Sequence, residues 1–177
     1  MIDRSDPDLV AVARDGSAAA LAEILRRHQG AVRGFLRRAC GDAALADDLA
    51  QETFLTAFAR LGAFRGEASL RAWLCGIAWH KVRESRRGAE RRARRETGAA
   101  LADAAADDPR GRAERRLDVE AAFQSLTLDQ KAVAALCLAS DWSHSEAAAA
   151  LGIPLGTLKS RLASAKQVLI KSLEAYR

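Results

Sequence analysis

The 177-residue chain has a hydrophobic fraction of 49% and a mild net charge of +5, enough for one mid-sized domain or two small ones. Much of the apolar fraction is alanine, prolines number three and β-branched residues are few, so an all-α fold is expected over any sheet architecture. Three separated cysteines (Cys40, Cys75, Cys137), three scattered histidines (His28, His80, His144), a polar acidic start and no run of 18 apolar residues argue against a disulfide framework, zinc, a secretion signal or a membrane span. A reduced, cytoplasmic protein without metal or cofactor is expected.

In chain order, Asp6-Pro7 reads as a helix start with Asp6 as N-cap, and this short helix should stop at Gly16. A second helix runs from near Ser17 to about Cys40, with Leu21, Ile24, Leu25, Val32, Phe35 and Leu36 at helical spacing and Gly41 as its stop. Asp42 caps a third, to about Leu61. On a wheel of 100° per residue, Leu45, Leu49, Thr53 and Ala57 face the core. Asp47, Asp48, Gln51, Glu52, Leu55 and Phe58 share the opposite wedge. Carboxylates mixed with outward leucine and phenylalanine fit a protein-docking face better than a solvated one, although plain surface charge with Phe58 tucked under a neighbour is the alternative.

The polar loop Phe64-Arg65-Gly66-Glu67-Ala68-Ser69 separates this helix from a fourth, which Ser69 caps. Leu70, Trp73, Leu74, Ile77 and Lys81 form its apolar stripe, with Gly76, His80, Arg83 and Arg87 on one flank. Trp79 and Arg86 fall nearer the far side. Tryptophan among arginines suits base stacking combined with phosphate neutralisation. Charge reinforces the contrast: residues 42–64 hold four acids and one base, a net of −3, whereas residues 65–96 hold ten lysine and arginine residues and four acids, a net of +6. Two adjacent faces of opposite sign point to two partners, nucleic acid for the basic one.

From Gly98 to Arg112 the chain lacks aromatic and β-branched residues and carries the turn signals Asp108-Pro109 and Gly111, so it reads as a flexible linker between domains at 1–97 and 113–177. The second domain opens with a helix from about Ala113 to Ser125. Thr127 caps another to about Ala139, with Ala132, Val133, Leu136 and Cys137 inward. Ser143-His144-Ser145-Glu146 is a capping box heading a helix to Leu151. Gly152-Ile153-Pro154 then leads into a last helix to about Glu174, with Leu158, Leu162, Ala165 and Leu169 buried. Short helix, glycine turn and longer helix make a helix-turn-helix. Thr157, Lys159, Ser160, Arg161, Ala163, Ser164 and Lys166 are placed to reach base edges and phosphates in a major groove.

Three segments in this order, D-D-L-A-Q-E-T-F-L-T-A-F at 47–58, F-R-G-E-A-S-L-R-A-W-L at 64–74 and L-G-I-P-L-G-T-L-K-S-R-L at 151–162, resemble bacterial sigma factors of the extracytoplasmic-function (ECF) class in the sigma-70 family. The likeness runs from about Asp15 to Leu173. It implies two helical domains (sigma domains 2 and 4), no catalytic site, and a chain that directs RNA polymerase core to particular promoters, in a stress or envelope response, while an anti-sigma factor holds it inactive. It further implies that the face of Asp47, Asp48, Gln51, Glu52, Leu55 and Phe58 docks on the β′ clamp helices. Phe64, Arg65, Glu67 and Ser69 would receive a flipped base of the minus-ten element, which Gly76, Trp79, His80, Arg83 and Arg87 read and melt. The last helix would read the minus-35 element while its domain touches the β-flap. Trp79-His80 and Ala163-Ser164 depart from the residues usual in relatives, so the promoter sequence cannot be copied from one. Two other readings stay open at this stage: a helix-turn-helix regulator acting without polymerase, and a sigma mimic that sequesters an anti-sigma factor.

Overall fold

A computed structural model describes residues 4–96, 121–140 and 142–174. Its elements are α1 (Asp6–Arg14), α2 (Ala18–Cys40), α3 (Ala43–Ala59), a 3-10 turn (Leu61–Ala63), α4 (Leu70–Glu96), α5 (Leu128–Cys137), α6 (His144–Leu151) and α7 (Leu155–Glu174), and no strand occurs among the described residues. The expected linker at 98–112 and the start of the helix expected from Ala113 lie outside the described residues, while residues 121–124 are helical.

Capping explains most of the boundaries. Ser5, not Asp6, is the N-cap of α1: its hydroxyl accepts from the Asp8 amide and the Asp8 carboxylate reaches back, a reciprocal capping box. Asp6 therefore sits inside the first turn, where a carboxylate meets the positive end of the helix dipole. Ser17 caps α2, which ends at Gly41 with φ 70°, the left-handed turn that favours glycine. Asp42 caps α3 through the Leu45 amide at 3.1 Å. Thr127–Gln130 and Ser143–Glu146 are capping boxes for α5 and α6, and Gly152 at φ 63° ends α6.

Helices α2, α3 and α4 pack on one another, with α1 laid along α2. Ile24, Val32 and Leu36 of α2 are fully buried, with Phe35 beside them. Alanines 46, 50 and 57 on α3 let the backbones approach closely, and the buried Thr53 hydroxyl is satisfied by donating to the Leu49 carbonyl at 2.6 Å. Two expectations shift here. Leu25, placed in the apolar stripe, is 38% exposed. On α4 the buried residues are Leu70, Ala72, Leu74, Cys75, Ala78, Trp79 and Val82. Of the expected stripe Leu70 and Leu74 are buried while Trp73, Ile77 and Lys81 are half-buried, so the inward face is rotated toward Cys75, Ala78, Trp79 and Val82. The rotation follows from α4 being covered on several sides, by α2, α3 and α6.

Helices α5, α6 and α7 form the second unit around Ala132, Val133, Leu136, Leu158 and Leu162, and α5 and α6 also rest on α2 and α4 respectively. Apolar burial is continuous across this junction, from Ile24 and Trp79 through to Trp142 and Leu151. None of the helices described is long and apolar enough to cross a membrane. The three cysteines are free thiols; burial pushes Cys75 up to about 12 and Cys40 up to about 11, which keeps both protonated and poorly nucleophilic.

Candidate nucleic-acid interface

The acidic face of α3 is part of a groove shared with α2. Asp48, Gln51 and Glu52 are exposed, and Leu55 is 64% exposed, an unusual position for a leucine on a three-helix core. Across from them stand Leu25, Gln29 and Arg33 of α2, enclosing a cavity of about 400 Å³ with Leu55 and Phe58. Phe58 is half-buried, its ring 6.0 Å from that of Phe54. The carboxylates differ in their partners. Asp47 turns toward α2, 3.4 Å from Arg37 and 3.8 Å from Arg33. Glu52 meets the Lys81 ammonium of α4 at 3.2 Å. Asp48 has no ion pair among the described residues, which leaves its charge available to a partner.

Next to it the chain passes through the 3-10 turn into the Phe64–Ser69 loop. Ser69 closes the loop as N-cap of α4, its hydroxyl accepting from the Ala72 amide at 3.2 Å. Gly66 takes φ 75°, so a side chain there would be strained. The Phe64 ring is buried against Trp73, centroids 5.4 Å apart, and is thus a wall of the loop rather than a free stacking surface. Arg14, from the end of α1, donates through Nε and Nη2 to the Leu61 carbonyl at 3.2 Å, and through Nη2 also to the Phe64 carbonyl. Arg65 and Glu67 are exposed. Loop and helix enclose a cavity of about 360 Å³, whose walls include Phe64, Trp73, Gly76 and His80.

His80, Arg83 and Arg87 project from one exposed flank of α4, and the basic run continues as exposed helix through Arg95. Arg86 is held by Glu90 at 3.5 Å. Trp79 does not join them. It is 4% exposed and stands edge-on to Phe35, so the expected role in stacking a DNA base is corrected: α2 covers that side of α4 and takes the indole into the core. Gly76 is also less open than its place on the flank implied, because a Cβ there would lie 3.1 Å from the Ala150 carbonyl of α6. Residues Ala149–Gly152 line the same cavity as the loop.

Two residues hold α6 in that position, and sequence reasoning singled out neither. The Arg71 guanidinium lies over the Trp142 ring at 4.3 Å from its centroid and meets Glu146 at 3.6 Å. Glu146 is held below the usual carboxylate range, first by the Ser143 amide it caps and then by Ser143's hydroxyl and Arg71. No spacing rule marks Arg71 or Trp142, since their relation exists only across the two units.

On α7, Leu158, Leu162 and Ala165 face inward, while Lys159, Ser160, Ala163, Ser164 and Lys166 are exposed and Thr157 is half-buried. Two of these are engaged with α5: Arg161 pairs with Asp129 at 2.9 Å, and the Ser164 hydroxyl accepts from Gln130 at 2.9 Å. Lys159 and Lys166 are the cations of this face with no ion pair among the described residues.

Comparison with known proteins agrees with this layout. Residues 24–92 match the family Sigma-70 region 2, and residues 116–169 match Sigma-70, region 4. The chain is 33% identical to the ECF RNA polymerase sigma factor SigC of Mycobacterium tuberculosis, over 97% of this chain and 93% of the relative. It is 34% identical to the RNA polymerase sigma factor CarQ of Myxococcus xanthus, over 84% and 86%. Among solved structures, the sigma factor RpoE of Bartonella quintana in complex with the anti-sigma factor NepR superposes with a TM-score of 0.75 at 28% identity, covering 88% of this chain and 98% of that one. CnrH in complex with the cytosolic domain of CnrY gives 0.70 at 26%, covering 97% and 99%. The two family matches, together with a relative 33% identical over nearly the whole of both chains, place the chain in the ECF class of RNA polymerase sigma factors of the sigma-70 family.

Proposed function

We propose that the chain brings polymerase core to its promoters through three separate surfaces. The groove of Leu25, Asp48, Gln51, Glu52, Leu55 and Phe58 takes the β′ clamp helices. The Phe64–Ser69 cavity and the His80, Arg83, Arg87 flank take the melted minus-ten strand. The outward side of α7, led by Lys159 and Lys166, takes the minus-35 duplex. The chain itself catalyses nothing; bond formation belongs to the polymerase, whose company places the protein in the cytoplasm.

The observation that carries this reading is the loop cavity set against an exposed basic helix flank, with His80 at the border of both. Opening DNA without ATP needs a favourable place for an extruded base. Flipping costs a few kcal/mol, and one base–aromatic stack returns roughly 1–3 kcal/mol. With Trp79 in the core, the half-buried Trp73 on the cavity wall is the indole left to supply it. An anti-sigma partner is supported by RpoE, which shares this fold and was solved with the anti-sigma factor NepR; CnrH, of the same fold, was solved with the cytosolic domain of CnrY.

The test is reconstitution. Purified chain added to core polymerase should start transcription from defined sites in a genomic promoter pool, and Asp48→Lys with Glu52→Lys should abolish it by blocking assembly. Failure of the wild-type chain to initiate anywhere would refute the proposal. Undiminished transcription by the charge-reversed chain would point instead to a regulator acting without the groove.

A further inference from the structure

The Phe64–Ser69 loop has little backbone bonding of its own. It follows the Phe64 amide, which donates to the Leu61 carbonyl at 3.2 Å, and ends where Ser69 caps α4. Its entry is instead fixed from outside by Arg14. That side chain comes from a helix 47 and 50 residues earlier in sequence and spans the two carbonyls of Leu61 and Phe64 with the planar fork of its guanidinium. The carbonyl of Phe64 belongs to the peptide that sets the direction of Arg65 and Gly66, both at the cavity. The Phe64 ring is meanwhile pinned on Trp73. Backbone from one side and ring from the other thus define the wall of the cavity.

We propose that Arg14 is a positioning residue for the base cavity: by clamping the Leu61 and Phe64 carbonyls it fixes the loop that accepts a nucleobase extruded from single-stranded DNA. This rests on the assignment of the loop as base acceptor made above. Arg14 is not among the residues that line the cavity, so its effect is on loop geometry and not on contact with the base. Arg14 is exposed and at a helix end, outside the buried core, so its replacement should disturb the packing little. Lysine is no substitute, because a single ammonium lacks the planar fork that spans both carbonyls.

The experiment uses full-length chain with core polymerase on a promoter identified by the reconstitution above, with each non-template base of the minus-ten element substituted in turn. Open-complex formation, core affinity and thermal unfolding are measured for wild type, Arg14→Ala, Arg14→Gln, Arg14→Lys and the loop variant Arg65→Ala/Glu67→Ala. All three Arg14 variants should slow open-complex formation by about tenfold and flatten discrimination at one base position. Core affinity should stay within about twofold of wild type. If the loop variant loses that discrimination and the Arg14 variants keep it, the positioning role is wrong and the loop assignment stands. A uniform loss at every position that tracks lowered thermal stability also overturns the positioning role. If the loop variant itself discriminates as wild type does, the base-cavity assignment fails and takes the Arg14 proposal with it.

Discussion

The indole of Trp79 meets the ring of Phe35 edge to face, with centroids 6.4 Å apart and planes at 70°. This contact joins α4 to α2 at the centre of the first unit and places Trp79 among structural residues. Trp79→Ala should destabilise the protein by about 3–5 kcal/mol, as large aromatic deletions in cores do, and Trp79→Phe by less, because the hydrophobic ring is kept. Chemical denaturation of both variants measures the difference. At temperatures where the Trp79→Phe chain is folded, its affinity for single-stranded minus-ten DNA should equal that of wild type; a loss confined to DNA binding would return Trp79 to the interface.

Leu55 presents the opposite case, a large apolar side chain left 64% exposed on a helix whose other face is fully packed. Little core energy depends on it, so Leu55→Ala should change stability by no more than about 0.5 kcal/mol. Its place in a groove with Leu25 and Phe58 gives it the character of an interface anchor, where truncation costs roughly 1–2 kcal/mol or more of binding. Affinity for polymerase core should fall about tenfold or more while unfolding hardly moves. Titration of labelled chain into core polymerase, beside a thermal melt, separates the two effects. Asp48→Ala should act mainly on the association rate and its salt dependence, as an exposed charge at the edge of such a groove does.

The junction between the two units gives a third prediction. Arg71 contributes both a cation–π contact with Trp142 and an ion pair with Glu146, and Gly76 lets α6 approach α4. Arg71→Ala removes the first two, worth roughly 0.5–2 kcal/mol for the ring contact and up to about 1 kcal/mol for a part-exposed pair. Gly76→Val would press a branched side chain on the Ala150 carbonyl. Dyes placed on exposed positions of α1 and α7 should report a larger mean separation in both variants than in wild type. Unchanged transfer efficiency in both would mean that the buried apolar contacts at the junction suffice alone.

How far the sequence foretold this arrangement depends on the range of each interaction. Caps and turns are local, so Ser17, Asp42, Gly41, Thr127, Ser143 and Gly152 could be read from neighbours within four residues. The inward stripe expected on α7 is legible for the same reason: Leu158, Leu162 and Ala165 are buried, while Leu169, nearer the helix end, is only half-buried. Helix α4 was not, because a wheel supposes one buried face and α4 has partners on several sides. A wheel therefore puts Trp79 among the arginines and Lys81 at the end of an apolar stripe, whereas Trp79 lies in the core and the Lys81 ammonium pairs with Glu52. Arg14, Arg71 and Trp142 matter through contacts with backbone carbonyls or rings far along the chain, for which periodicity carries no signal.

The last prediction concerns α7, where the seven residues proposed for the minus-35 site are not equivalent. Lys166 is exposed and has no ion pair among the described residues, whereas Arg161 is occupied by Asp129 at 2.9 Å. A cation that neutralises one phosphate releases its counterions on binding. Lys166→Ala should therefore lower affinity for minus-35 duplex without altering sequence preference, and should reduce the slope of log affinity against log salt by about one. Arg161→Ala should behave differently. It frees Asp129 and loses at most about 1 kcal/mol of stability, since the pair is part-exposed, and it leaves an acid beside the face of α7 proposed for DNA. If Arg161 keeps its partner on DNA, its removal should lower affinity through the uncovered carboxylate, and Arg161→Ala with Asp129→Asn should restore much of the loss. If Arg161 instead swings onto a base or phosphate, the double variant should bind as poorly as the single one. Fluorescence anisotropy of the four chains across a salt series, with matched and base-substituted duplexes, decides between the two.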